Sequence, residues 1–149
     1  MPFWKRQQPP GSLPDEDKWS VSETVHGGWP MLVRLNVSAK GYAGNKGLPI
    51  RLGIAVRLTA PDERGFPGSE ESAQLNVLED ALFEAFKSAK SGRIVLIIST
   101  GGMREFVSYV RSFNDAEKAM ALVRGTNRSH DVQHYIADDP KWELFREFA

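Results

Sequence analysis

Cysteine is absent from these 149 residues, and histidine occurs only three times, at His26, His130 and His134. The first absence excludes disulfides, thiolate metal sites and a cysteine nucleophile, and it fits a reducing cytoplasm. The second means that three residues decide most enzymatic readings. Charge of one sign is also missing: nineteen Lys and Arg balance nineteen Asp and Glu, so no net field holds a polyanion or an anionic membrane. No apolar run approaches transmembrane length, and the opening MPFWKRQQPPGSLPDED has no signal-peptide h-region. The expected location is the cytoplasm.

Residues 1–15 carry Pro2, Pro9, Pro10 and Pro14 and read as a flexible arm before a single domain over 16–149. In KWSVSETV (18–25), Trp19 and Val21 alternate with polar residues, which predicts a half-buried strand. After the turn HGGWP, MLVRLNV (31–37) turns Met31, Val33, Leu35 and Val37 one way and Arg34 and Asn36 the other, completing a hairpin. A Gly-rich loop over 40–49 precedes IRLGIAVRL (50–58), a third strand with Arg51 and Arg57 opposite its apolar side.

Leu75, Leu78, Leu82, Phe86 and Ala89 recur at helical spacing within 69–90. That predicts a long amphipathic helix, capped by Ser69 or Ser72 and ended by Gly92. RIVLIIST (93–100) is apolar on both sides, as a central strand is. The pair Gly101-Gly102 turns the chain into another strand. Asn114 or Asp115 caps a second helix over 116–124, and HDVQHYIA (130–137) is the last strand. The order from residue 49 is strand, helix, strand, strand, helix, strand. The expected fold is therefore α+β, a ferredoxin-like split βαβ frame whose antiparallel sheet the amino-terminal hairpin extends.

The chain closes on DDPKWELFREF. In a helix beginning near Pro140, Trp142, Phe145 and Phe148 share one stripe, which we read as a packing clamp that pins the terminus. This ending resembles the Asp-Pro-x-Trp-x-x-aromatic-x-x-Phe close of a bacterial family known only as a domain of unknown function. LNVLEDALFEAF, IVLIISTGGMREFVSYV and the VRLNV of the hairpin extend the resemblance over most of the chain after the arm. Some members look to be fused to a domain similar to the regulator of ribonuclease activity B, which implies a regulatory setting by association.

Signatures of chemistry are sparse. His130 and His134 lack a third metal ligand and read as surface histidines. GYAGNKG lacks the close of a phosphate loop, and no G-x-S-x-G elbow surrounds Ser99 or Ser108. The acid pairs Glu70 and Glu71, Glu79 and Asp80, and Asp138 and Asp139 read as solvated charge. Phe106 and Tyr109 match the tail of an RNA-recognition octamer, but Arg104 stands where a stacking aromatic belongs, and charge is neutral. Both points count against nucleic acid as partner.

Alternation leaves Arg34, Arg51, Arg57 and Arg104 on one sheet face away from the helices, a candidate docking face because Arg pairs carboxylates bidentately. The leading expectation is a non-catalytic protein-binding or regulatory module for an unidentified intracellular protein, without cofactor or metal. The alternatives are a small-molecule site or enzyme pocket between the 40–49 loop and the Gly101-Gly102 turn, and a weak RNA-binding module.

Overall fold

The computed structural model describes residues 13–127 and 129–149. Most of the expected Pro-rich arm, residues 1–12, lies outside them. Among the described residues six strands form one antiparallel sheet: β1 (Trp19–His26), β2 (Trp29–Asn36), β3 (Ile50–Arg57), β4 (Gly92–Thr100), β5 (Met103–Val110) and β6 (Val132–Asp138). Three α-helices among the described residues accompany it, α1 (Ser69–Ala89), α2 (Phe113–Thr126) and the short α3 (Glu143–Phe148). The spatial order is β1-β2-β4-β5-β3-β6. Each crossover, β3-α1-β4 and β5-α2-β6, thus leaves one strand between the two it joins, which is the split βαβ arrangement. The hairpin β1-β2 extends this frame beside β4.

Both Gly-Gly pairs make the tight turns that the sequence predicts. Gly27 and Gly28 have φ of 57° and 83°, and Gly101 and Gly102 have 56° and 83°, the left-handed pair that a two-residue hairpin turn demands.

Apolar alternation divides the core between the two sides of the sheet. Leu52, Ile54, Ile97 and Phe106 pack beneath Leu75, Leu82 and Phe86 of α1 and Met120 and Val123 of α2. On the opposite side, Val33, Val95, Val107 and Tyr109 lie beneath Ala39, Tyr42, Leu48, Trp142 and Phe145. The centre of the sheet is therefore covered on both sides, by two long helices on one and by the 38–49 segment and the carboxy terminus on the other.

Local chemistry moves several boundaries. No side chain caps α1: Gly68 precedes it, and Lys90 ends it in the left-handed conformation at φ 51°. Gly92 instead opens β4, where a Cβ would lie 2.9 Å from the Tyr109 carbonyl oxygen. Ser112, rather than Asn114 or Asp115, caps α2. Its Oγ accepts from the Asp115 amide at 3.1 Å and donates to the Asp115 carboxylate at 2.9 Å. The Ser-x-x-Asp spacing was the overlooked signal. Helix α3 begins only at Glu143, because Trp142 itself takes φ 58°.

β1 also departs from expectation. It is exposed along nearly its whole length, with Val21 64% and Val25 72% exposed, because it is the outermost strand and no helix reaches over it.

Candidate partner-binding surface

The four arginines do not share a face. Arg34 and Arg104 point to the helix side: Arg34 bonds Glu79 of α1 at 2.7 Å, and Arg104 stands opposite Val56, its Nε donating to Ser99 Oγ at 3.0 Å. Burial there lowers the affinity of the Arg104 guanidinium for its proton. Arg51 and Arg57 lie on the other side, with Arg57 exposed. Alternation was read correctly within each strand, but the relative phase of separate strands is set by cross-strand register, which single segments do not carry.

Arg51 belongs to a buried polar network. Asp139, 5% exposed, accepts from Arg51 Nη1 at 2.7 Å, the Tyr109 hydroxyl at 2.8 Å and the Glu143 amide at 2.9 Å. Burial alone would raise its carboxyl, but the Glu143 amide, Tyr109, the Leu144 amide and Arg51 together hold it below the usual value. Above this network Trp142 stacks on Tyr109 at 4.1 Å between centroids and donates its indole N–H to the Leu48 carbonyl at 2.9 Å. Trp142 and Phe145 are fully buried and Phe148 partly so. Asp139, Pro140 and Trp142 therefore act as one structural device: the acid orders the turn and the indole fills the core above it.

Each adjacent acid pair splits. Glu70, Asp80 and Asp138 are exposed, whereas Glu71, Glu79 and Asp139 are buried. Neighbouring residues point about 100° apart on a helix and to opposite faces of a strand, so one member turns inward. Glu71 accepts from the Thr59 amide and hydroxyl at 2.6 and 2.8 Å, the Ala60 amide at 3.2 Å and His130 Nε2 at 2.6 Å. His130 is thus no surface histidine: its side chain is 1% exposed. His134 meets Arg124 on α2 at 3.0 Å. The partners of Glu71 are 11, 12 and 59 residues away, which is why sequence spacing gives no sign of them.

Ser129 Oγ lies 2.8 Å from His130 Nδ1, so Ser129, His130 and Glu71 are connected as in a nucleophilic relay. The nearby backbone amides are taken, however: those of Thr59 and Ala60 donate to Glu71 and those of Ser129 and His130 to Asn127 Oδ1. The arrangement ties the start of α1 to Thr59, Ala60 and His130 as a latch.

Burial would raise the Glu71 carboxyl, yet the bonds from Thr59, His130 and Ala60 hold it at about 2, against an ordinary 4.5. A depressed folded pKa contributes stability above the unfolded pKa that is lost as pH falls through the folded one. Wild-type stability is therefore expected to drop between pH 4.5 and about 2. Glu71→Gln should be less stable near neutrality and flatten that drop, as read by urea midpoints across the window.

The 40–49 loop and the Gly101-Gly102 turn share no pocket. The loop leads into Ile50, which pairs with Val110, whereas the turn adjoins Met103, paired with Arg57 at the far end of β3. The loop is packed through Tyr42 and Leu48. The turn is held by the 61–67 segment, the Gly102 amide donating to the Gly65 carbonyl at 3.0 Å.

The uncovered surface lies instead beside α1. Trp19 meets Phe83 of α1 edge to face at 5.9 Å, which places Trp19, and by alternation Val21, Glu23 and Val25, on the helix side. α1 packs over β4, so the helix side of β1 and β2 forms a bare shelf. At one end it deepens into a cleft of about 990 Å³ floored by Trp19, Phe83 and Phe86 and rimmed by Asp15, Asp80 and Lys90. At the hairpin tip is an open concavity of about 730 Å³ lined by Val25, Trp29, Pro30 and Arg64. Arg64 bonds Glu23 across this end.

These features define an α+β domain in which Glu71, Glu79 and Asp139 are committed to internal bonds and the helix side of the hairpin extension leaves Val21 and Val25 exposed. The chain belongs to DUF695, a family of unknown function whose model matches residues 17–149. No curated protein and no solved structure matches it. Among the described residues, no helix is long and apolar enough to cross a membrane.

Proposed function

We propose that this domain is a non-catalytic protein-binding module, regulatory in setting, that receives the apolar side of a partner helix on the shelf formed by β1, β2 and α1. The observation that carries this reading is that Val21 and Val25 are exposed side by side on the helix side of the hairpin, beside Trp19 and α1. Two long helices cover the other four strands on that side, and a third would complete the layer. Glu23, Arg34, Arg64 and Glu79 supply charge of both signs around the apolar floor, which suits discrimination between partners. The regulatory setting rests on the resemblance to domains fused to one like the regulator of ribonuclease activity B.

Because Val21 and Val25 are exposed, the Val21→Glu/Val25→Glu variant should keep the stability of the wild type. In affinity capture from native lysate, a protein retained by wild type should be lost from this variant. It should be kept by Phe113→Glu, a change at a 52% exposed residue of α2. A partner retained by both variants would place the contact elsewhere, and saturable turnover of a small molecule would overturn the reading.

A further inference from the structure

We propose that two copies of this chain pair through their β1 edges, antiparallel and two-fold, with Ser22 opposite Ser22 of the second copy. This goes beyond the binding reading above and rests on different groups, the backbone of an outer strand rather than the side chains of the shelf.

The hairpin decides which backbone groups are free. His26 faces Trp29 across the two-residue turn, and at the other end the Val37 amide donates to the Lys18 carbonyl at 2.7 Å. Even-numbered residues of β1 therefore exchange hydrogen bonds with β2. The amides and carbonyls of Trp19, Val21, Glu23 and Val25 point outward, and among the described residues no strand pairs with them. An outer strand usually carries a proline, a bulge, inward charge or lysines that prevent pairing. β1 has eight residues, WSVSETVH, with no proline or lysine; its one inward charge, Glu23, is paired with Arg64, and its register with β2 is unbroken.

Self-pairing fits its side chains. Antiparallel partners must match outward groups with outward groups, so residue numbers facing each other sum to an even value. A sum of 46 sets Glu23 against Glu23, a like-charge pair. A sum of 44 sets Trp19 against Val25 and Val21 against Glu23 on the helix side, and Ser20 against Thr24 and Ser22 against Ser22 on the other. Aromatic with β-branched and hydroxyl with hydroxyl are favourable cross-strand pairs. The two-fold also closes, leaving no β1 edge for further copies.

The pairing would join the two shelves into one floor of four strands walled by α1 of each copy. Five strand spacings of about 4.8 Å separate the two β4 strands, so the helix axes stand roughly 24 Å apart. Allowing for helix diameters of about 10–12 Å, the trough has room for one more helix.

The absence of cysteine makes the register directly readable. Ser22→Cys places two thiols on a non-hydrogen-bonded pair with Cα atoms about 4.5 Å apart, within disulfide reach. Mild oxidation of the full chain should therefore give a disulfide-linked dimer from Ser22→Cys and little from Ser20→Cys. By sedimentation the wild type should be dimeric. Val21→Pro, which removes an outward amide but no bond to β2, should be monomeric and folded, whereas Val21→Thr should stay dimeric. A monomeric wild type overturns the proposal, as does a dimer that survives Val21→Pro or links equally through Ser20→Cys. A monomer that still loses its partner on Val21→Glu/Val25→Glu would sink this inference alone and leave the binding reading standing.

Discussion

Replacing Trp142 by alanine should destabilise the fold by about 3–5 kcal/mol, the range for deleting a large buried aromatic. The indole is fully buried, stacked on Tyr109 at 4.1 Å and edge-on to Phe145 at 5.7 Å. Alanine empties that space and still holds the left-handed backbone at φ 58°. Trp142→Phe should cost less, but it orphans the Leu48 carbonyl, adding about 1–3 kcal/mol for a buried acceptor without a donor. Urea unfolding of the two variants measures both. Trp142→Ala within about 1 kcal/mol of wild type would mean that the closing segment does not hold the sheet.

Asp139→Ala should cost a comparable 3–5 kcal/mol for a different reason. It strands Arg51, whose Nε is already buried without a partner, and breaking one side of a buried ion pair leaves an uncompensated charge. The Tyr109 hydroxyl and the first amides of α3 lose their acceptor as well. A double-mutant cycle with Arg51→Met should show coupling: the double variant should be more stable than the sum of the two single losses implies. Strict additivity would show that Asp139 acts through α3 alone.

Alternation and helical spacing made the strands and long helices legible in the sequence, because each face of an element repeats along the chain. The strand order follows from short connections and the two crossovers. What stayed hidden depends on pairing across distance. The phase of Arg34 against Arg51 is fixed by β2 and β3 being separated by β4 and β5. The Glu71 latch joins segments far apart in sequence. The clamp was readable as a stripe of aromatics, yet Trp142 reaches its place through a left-handed residue before the helix. Val21 and Val25 carry the alternation of a half-buried strand and are exposed all the same, since alternation reports which side a residue faces and not whether anything covers that side.

Whether that uncovered side receives a partner is read by in-cell photocrosslinking. A photoreactive amino acid placed at Val25, on the shelf, should yield a discrete adduct with a second protein species beyond any self-adduct. The same residue at Leu122, on the exposed side of α2, should not. Adducts of equal yield from both positions, or none but self-adducts from Val25, would contradict a partner-binding role for this hairpin.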